Sequence, residues 1–394
     1  MSIHRVVQST RLKTLSQDER QEAFDVVLSI LATCFPKQIV GTHMHELWKG
    51  CETFLAHVLA FDKAVQRWQP SFGEQNAVYV NMMCDVTWYL WEIGQYNEAL
   101  RLLESTERIC ARTIGLNNLE GARIFVNRGS VFSTLNRYKD AGKLFANALH
   151  IRRRILPGDH QLLANSYMQM GNYYLNTSSG TTGIEDAIQA HEKVIETRLK
   201  SSTTKPTDMI VSYLNFCRSL MMGGRLNDAQ ANLAKAEELE GKVRDGRTHL
   251  YYRNHRLFIL GNILARRGKV EMALDAHREV YNIRRNLKVQ SYALGISLHK
   301  IGTLQHRLGN QYQAINTLKE AIPLLESFLG PTEAKLARLA RTEMTLAEVL
   351  ATGHEAASWR ERALQHYCQA VGREEPVDDW SRIDFDALVP VIDR

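Results

Sequence analysis

Fourteen histidines are spread over 394 residues, and three fall where acid–base chemistry could be assembled. His299 and His306 are seven residues apart, two helical turns, and so share a helix face. His255 lies about one repeat earlier, with Tyr251 and Tyr252 beside it. An imidazole that titrates near neutrality, with a phenol nearby, can act as general acid or base. No carboxylate at fixed spacing accompanies them, and a polar helix face also carries histidines for solvation alone. His43-Met-His45 would hold a metal only on an extended strand, because residues two apart diverge on a helix. Asp378-Asp379 is the sole Asp-Asp pair, far from a set of aspartate-rich helix ends that could hold magnesium. The motifs GxxxxGK(S/T), GxSxG, HExxH and GxGxxG are absent. The sequence therefore predicts no nucleotide hydrolysis, no cofactor and no metal.

Composition narrows the class further. With 44% hydrophobic and 23% charged residues, the chain is globular rather than disordered. The formal charge of +6 is spread along the length, and Arg152-Arg153-Arg154 is the only basic block. That triplet sits at a helix end, where positive charge suits the dipole, and reads as solvated surface. Nucleic acid is not an expected partner. No apolar run approaches ~18 residues, so no membrane span is expected, and without a signal-like start the expectation is cytoplasmic. The six cysteines form no CxxC pair and read as reduced, mostly buried thiols.

The elements that must position these residues announce themselves as a repeat. A small or turn residue is followed two on by an apolar or Tyr residue and five on by Ala. It reads Gly94-Gln-Tyr96-Asn-Glu-Ala99, Asn136-Arg-Tyr138-Lys-Asp-Ala141, Gly224-Arg-Leu226-Asn-Asp-Ala229 and Gly268-Lys-Val270-Glu-Met-Ala273. It returns at Gly309 to Ala314 with Tyr312 displaced by one, and weakly at Thr182 to Ala187 and Thr352 to Ala357. The alanines are 42, 46, 42, 44, 41 and 43 residues apart. Physically this is a helical hairpin. Gly or Asn ends the first helix, A, and Ala is small because the second, B, crosses A closest there. A second small residue recurs inside helix A as Gly129, Gly171, Gly261 and Gly302. Mid-helix Gly costs ~1 kcal/mol against Ala, so its recurrence predicts close helix contact. Val80, Met83, Val86, Tyr89, Leu90 and Ile93 supply an apolar face at helical spacing.

Four stretches carry a family resemblance: Met170-Gly-Asn-Tyr-Tyr174, Ala148-Leu-His-Ile-Arg152, Leu156-Pro-Gly-Asp-His160 and Leu329-Gly-Pro-Thr-Glu333. They resemble the tetratricopeptide (TPR) repeat in the longer form found in kinesin light chains and many fungal proteins. The resemblance covers about residues 71–372. It departs most where Cys217 replaces the helix A Gly and in the seventh copy, which lacks the aromatic. Ser2-Ile-His-Arg-Val-Val-Gln8 and Leu15-Ser-Gln-Asp-Glu-Arg20 resemble the end of the winged-helix region of fungal NB-ARC and NACHT receptor-like proteins. Cys34-Phe-Pro36, Trp48, Cys51 and Leu55-Ala-His-Val58 continue that match. The resemblance implies an all-α, right-handed TPR superhelix, an α-solenoid of about seven helical hairpins with an N-terminal helical cap. Residues 1–70 would be the linker after a winged-helix module, 71–372 the TPR array and 373–394 an acidic C-terminal tail or cap.

In such an array helix A residues line the concave face. Counting back from the turns places Asn81, Cys84, Trp88, Trp91 and Arg123 there, then Asn165, Asn172, Arg218, His255, Asn262, His299, Thr303 and His306. Asn can bond both N–H and C=O of an extended peptide, and Arg or His can take a carboxylate. The same residues could instead bond between neighbouring A helices. The expected function is a non-catalytic scaffold that binds a protein or peptide segment. The alternative is an enzyme of fungal specialised metabolism that uses the hollow as a small-molecule pocket, with His255, His299 and His306 as its acid–base set. The acidic tail reads first as a cap over the last repeat's apolar edge, and second as an internal ligand folded into the groove.

Overall fold

The computed structural model describes residues 14–39, 44, 47–177, 181–287, 289, 291–328, 332–374, 384–389 and 393. Among these the chain is all-α, with sixteen α-helices and no strand. Two helices lead, α1 (Gln17–Cys34) and α2 (Trp48–Trp68). Helix pairs follow: α3 (Asn76–Glu92) with α4 (Tyr96–Thr113), α5 (Leu119–Thr134) with α6 (Tyr138–Ile155), and α7 (Gln161–Thr177) with α8 (Thr181–Lys200). Next come α9 (Pro206–Met222) with α10 (Leu226–Glu240) and α11 (Gly246–Arg266) with α12 (Val270–Asn286). The last are α13 (Ser291–Arg307) with α14 (Gln311–Glu326) and α15 (Thr332–Leu350) with α16 (His354–Val371). These are the seven expected hairpins. They divide into two compact units, residues 1–131 with 143–156, and residues 132–142 with 157–394.

In the first unit the leading helices are held by an aromatic cluster. Phe24 stacks on Phe61 at 5.4 Å and meets Phe72 edge-on at 5.1 Å, and Phe72 meets Tyr79 at 4.9 Å. Beneath it the buried Asp62 carboxylate takes Arg101 Nη1 at 3.0 Å and the Tyr79 hydroxyl at 3.3 Å. A capping box starts α1: Ser16 Oγ accepts from Glu19 N at 3.2 Å, and Glu19 accepts from Ser16 N at 2.8 Å. The His43/His45 metal site and Asp378-Asp379 lie outside the described residues.

The turns and hinges follow the sequence pattern in both units. Gly94, Asn136, Gly224, Gly268 and Gly309 all carry φ between 59° and 81°, the left-handed conformation that ends helix A. Ala99, Ala141, Ala187, Ala229, Ala273 and Ala314 are fully buried. The seventh copy corrects the reading by one residue, because Ala356 is buried and Ala357 exposed. Its turn is built differently, with Ala351 and Gly353 both at positive φ. Tyr312 is 79% exposed, and Gln311, which holds the position two after the glycine, donates its amide to the Val349 carbonyl.

Each recurring helix A glycine receives one bulky helix B side chain. A Cβ at Gly129 would fall 2.6 Å from the Phe145 ring, and at Gly302 2.7 Å from Leu318. At Gly171 and Gly261 the intruding groups are His191 and His277, each 2.6 Å from the hypothetical Cβ. Where Cys217 stands instead, its thiol lies 3.1 Å from the Ala229 carbonyl, and burial pushes it up to about 12. Cys84 is likewise about 12, while Cys51 and Cys110 are near 11, so these buried thiols are unreactive. All six cysteines are free.

The buried histidines make stability sensitive to acid. Burial, reinforced by Arg218, holds His191 down at about 3, and burial also carries His277 and His299 well below the ordinary imidazole range. Each is neutral when folded but takes a proton near pH 6.5 when unfolded. The unfolded chain therefore binds more protons below that pH. Stability is complete above ~6.5 and falls as the pH drops, by roughly 1 kcal/mol per histidine at pH 5.5. Replacing His191 with Asn should flatten the decline in urea midpoint between pH 7 and 5.5 by about a third. Parallel declines in the two proteins would show that His191 is not held neutral.

Candidate functional site

The first unit uses its predicted groove residues to bind its own chain. Arg123 donates to the Asn81 carbonyl and side chain at 3.2 and 3.0 Å and pairs with Asp85. Asn127, on α5, donates to the Cys84 carbonyl on α3 at 2.7 Å. Asp85 and Glu92 in turn hold the segment between α1 and α2. The Gln38 amide donates to Asp85 at 3.0 Å, and the Met44 amide to both Glu92 oxygens at 2.9 Å. Trp88 and Trp48 both donate to Glu92 at 2.9 Å, and the Trp91 ring lies 4.8 Å from Trp88. Here the residues proposed for a ligand bridge neighbouring A helices and dock the N-terminal segment.

A second pattern stitches consecutive hairpins. Arg198, in the last turn of α8, donates to Asn165 on α7 at 2.7 Å, and to the Asp208 carbonyl and Ser212 on α9 at 2.5 and 2.7 Å. Arg284 repeats the arrangement on α12. It reaches Asn254 on α11 at 3.1 Å, and the Ala293 carbonyl and Ser297 on α13 at 2.6 and 3.0 Å. In α10 the equivalent position is Glu240 and the signs invert, with Arg256 Nε 2.7 Å away. Asn165 is thus part of a staple. Arg152 holds the same register on α6 and is 4% exposed, which corrects the reading of the basic triplet as wholly solvated. Burial, with Arg123 nearby, lowers it to about 10, and only Arg153 and Arg154 face solvent. These arginines were legible as the Arg of Ala148-Leu-His-Ile-Arg152.

The second unit presents an open recess on its A helices. Asn262 and Thr303, two of the predicted groove positions, line a cavity of about 380 Å³ with Met221, Arg266, Lys300 and Arg307. Arg218 is not part of that lining; it is buried on α9 and donates to Asn215 at 2.8 Å. Asn172 is half-buried on α7. Burial and the neighbouring Arg341 bring Lys300 down to about 7, with Asp386 and Asp393 pulling the other way. The histidines do not converge. His299 is buried against the Thr342 hydroxyl at 3.2 Å, whereas His306 is exposed and meets Gln311 at 3.2 Å. His255 packs on the Tyr251 ring at 4.7 Å.

Sequence reasoning missed the strongest charges of this face, Arg338 and Arg341 on α15. Arg338 is buried, and its Nε and Nη2 lie 2.9 and 2.8 Å from Asp393. Its guanidinium also sits over the rings of Phe328 and Tyr292, 4.9 and 5.3 Å away. Arg341 donates to the Asp393 carbonyl at 3.2 Å and pairs with Asp386 at 3.4 Å. Asp384, Asp386 and Ala387 complete the wall of the cavity. The helical period would have placed Arg338 and Arg341 on one face, but the weak seventh copy hid its register.

No helix among the described residues is long and apolar enough to cross a membrane. No curated protein matches the sequence. The sequence model of the tetratricopeptide repeat matches residues 253–327. Among solved structures, a Rap protein complexed with competence and sporulation factor is similar at TM-score 0.57 and 11% identity, over 89% of this chain and 97% of that one. Aspartyl phosphate phosphatase F from Bacillus subtilis aligns at 0.52 and 15%, over 85% of each chain. The apo quorum sensor NprR from B. thuringiensis aligns at 0.51 and 13%, over 84% of this chain and 99% of that one. Identities this low speak to fold alone. The buried hinge alanines, the helix A glycines and the match over residues 253–327 together give this chain the fold of a tetratricopeptide-repeat array.

Proposed function

We propose that the chain is a non-catalytic scaffold that binds a protein or peptide segment on the helix A face of its second unit. The observation that carries this reading is the recess itself. It is lined by Arg266, Arg307, Lys300 and Asn262 together with Asp384 and Asp386. Such a lining suits carboxylates and an extended backbone. The Rap protein of similar fold, solved in complex with competence and sporulation factor, supports a scaffold reading. An enzyme would need converging acid and base, whereas His299 and His306 have different partners. The matches at residues 15–20, 34–36 and 55–58 support placing the chain among fungal receptor-like sensors that act in the cytoplasm.

A peptide array probed with the full chain and with Asn172→Ala, Arg218→Ala and Asn262→Ala tests the reading. A truncated bond to a charged group is worth ~1.5–3 kcal/mol, so affinity for captured peptides should fall about tenfold or more. Unchanged melting temperatures must accompany the loss. Equal binding by all three variants would move the site off this face.

A further inference from the structure

The buried partner of Arg338 comes from far along the chain. Asp393 is 7% exposed and Val389 1%, so the acidic segment is seated, not merely adjacent. Its described residues meet helix A side chains of several successive hairpins. Asp384, Asp386 and Ala387 line the recess with Met221 of α9, Asn262 of α11 and Thr303 of α13. Asp386 and Asp393 reach Arg341 and Arg338 of α15. A cap would need only the last hairpin, and of these contacts only the Phe385 ring, 5.8 Å from Tyr367, involves helix B of that hairpin.

We propose that the acidic segment is a built-in occupant of the peptide site, and that the partner it displaces is an acidic peptide of the same kind. This rests on the scaffold reading above for the site's purpose, but not for its occupancy. The contacts of the segment define the chemistry that selects such a partner. One carboxylate enters the buried Arg338 pocket, a second lies at the rim on Arg341, and small or apolar residues run between them. The chain as a whole is basic by +6, whereas this segment carries Asp384, Asp386 and Asp393. A tethered ligand acts at an effective concentration of about millimolar, so it lowers the apparent affinity of a free competitor by the fraction of sites left open.

The test uses the full chain, with and without Asp386→Asn/Asp393→Asn, and a fluorescent peptide of sequence 384–394 blocked at both ends. The peptide should bind the double variant at least ~10-fold tighter than the unaltered chain, because the weakened segment no longer competes. Adding Arg341→Gln to the double variant should remove that gain. Should that protein fail to fold, the exposed Arg307→Gln should give a smaller loss that added salt erases. Equal binding to both chains, or no binding to the double variant, overturns the proposal. Array peptides that bind both chains equally would also overturn it while leaving the scaffold reading intact. If only the 384–394 peptide binds, and no array peptide competes, the internal occupant stands and the scaffold reading falls.

Discussion

Replacing Arg284 with Ala should destabilise the protein by roughly 3 kcal/mol, one of the largest effects of any single change in the repeats. The guanidinium satisfies Asn254, the Ala293 carbonyl and Ser297 at once, and lies 5.1 Å from the Phe258 ring centroid. Its removal leaves buried acceptors on two helices without that donor, each costing about 1–3 kcal/mol. Part of this is offset because the cation itself is strained by burial, which holds it down at about 10. Repeats couple mainly to their neighbours, so hydrogen exchange should quicken first in α11 and α13. Arg153→Ala, exposed on α6, is the control and should stay within ~0.5 kcal/mol. A loss that small at Arg284 would mean the staple is ornamental.

The second large effect is expected at Gly261. Alanine is the better helix former by ~1 kcal/mol, yet Gly261→Ala should destabilise by about 1–3 kcal/mol. The reason is the buried His277 ring, whose Nε2 would lie 2.6 Å from the new Cβ. The ring packs edge-on against Phe258 at 5.2 Å and is fully buried, so moving it out of the way costs packing. In a His277→Ala background the same substitution should become neutral or stabilising, giving a coupling energy of at least ~1 kcal/mol between the two sites. Additive effects in that cycle would contradict the close-contact account of the helix A glycines.

What could be read from the sequence follows from what repeats. The period and the hinge alanines recur because every hairpin solves the same steric problem, and so the architecture was legible before any coordinate. Ala357 was misplaced because the seventh turn uses Ala351 and Gly353 and has no aromatic landmark to fix its register. Arg152 was misread because a run of three arginines looks solvated, whereas the helical period turns its first member inward. The helix A face was legible as a face, but the employment of each residue on it was not. Asn81, Arg123 and Asn165 satisfy partners on other helices, and those partners are set by tertiary packing rather than by local spacing. Arg338 and Asp393 are 55 positions apart, and no short-range pattern links them.

The central claim, that the helix A face of the second unit is a peptide site held by the chain's own acidic segment, is tested most directly by photocrosslinking. A benzophenone side chain placed at Thr303, on the wall of the recess, reports what lies within reach in the unliganded full chain. The account predicts crosslinks to residues 384–389. It also predicts their replacement by crosslinks to added acidic peptide when Asp386 and Asp393 are both Asn. Crosslinks confined to neighbouring helices, unchanged by those substitutions and by the peptide, would contradict it.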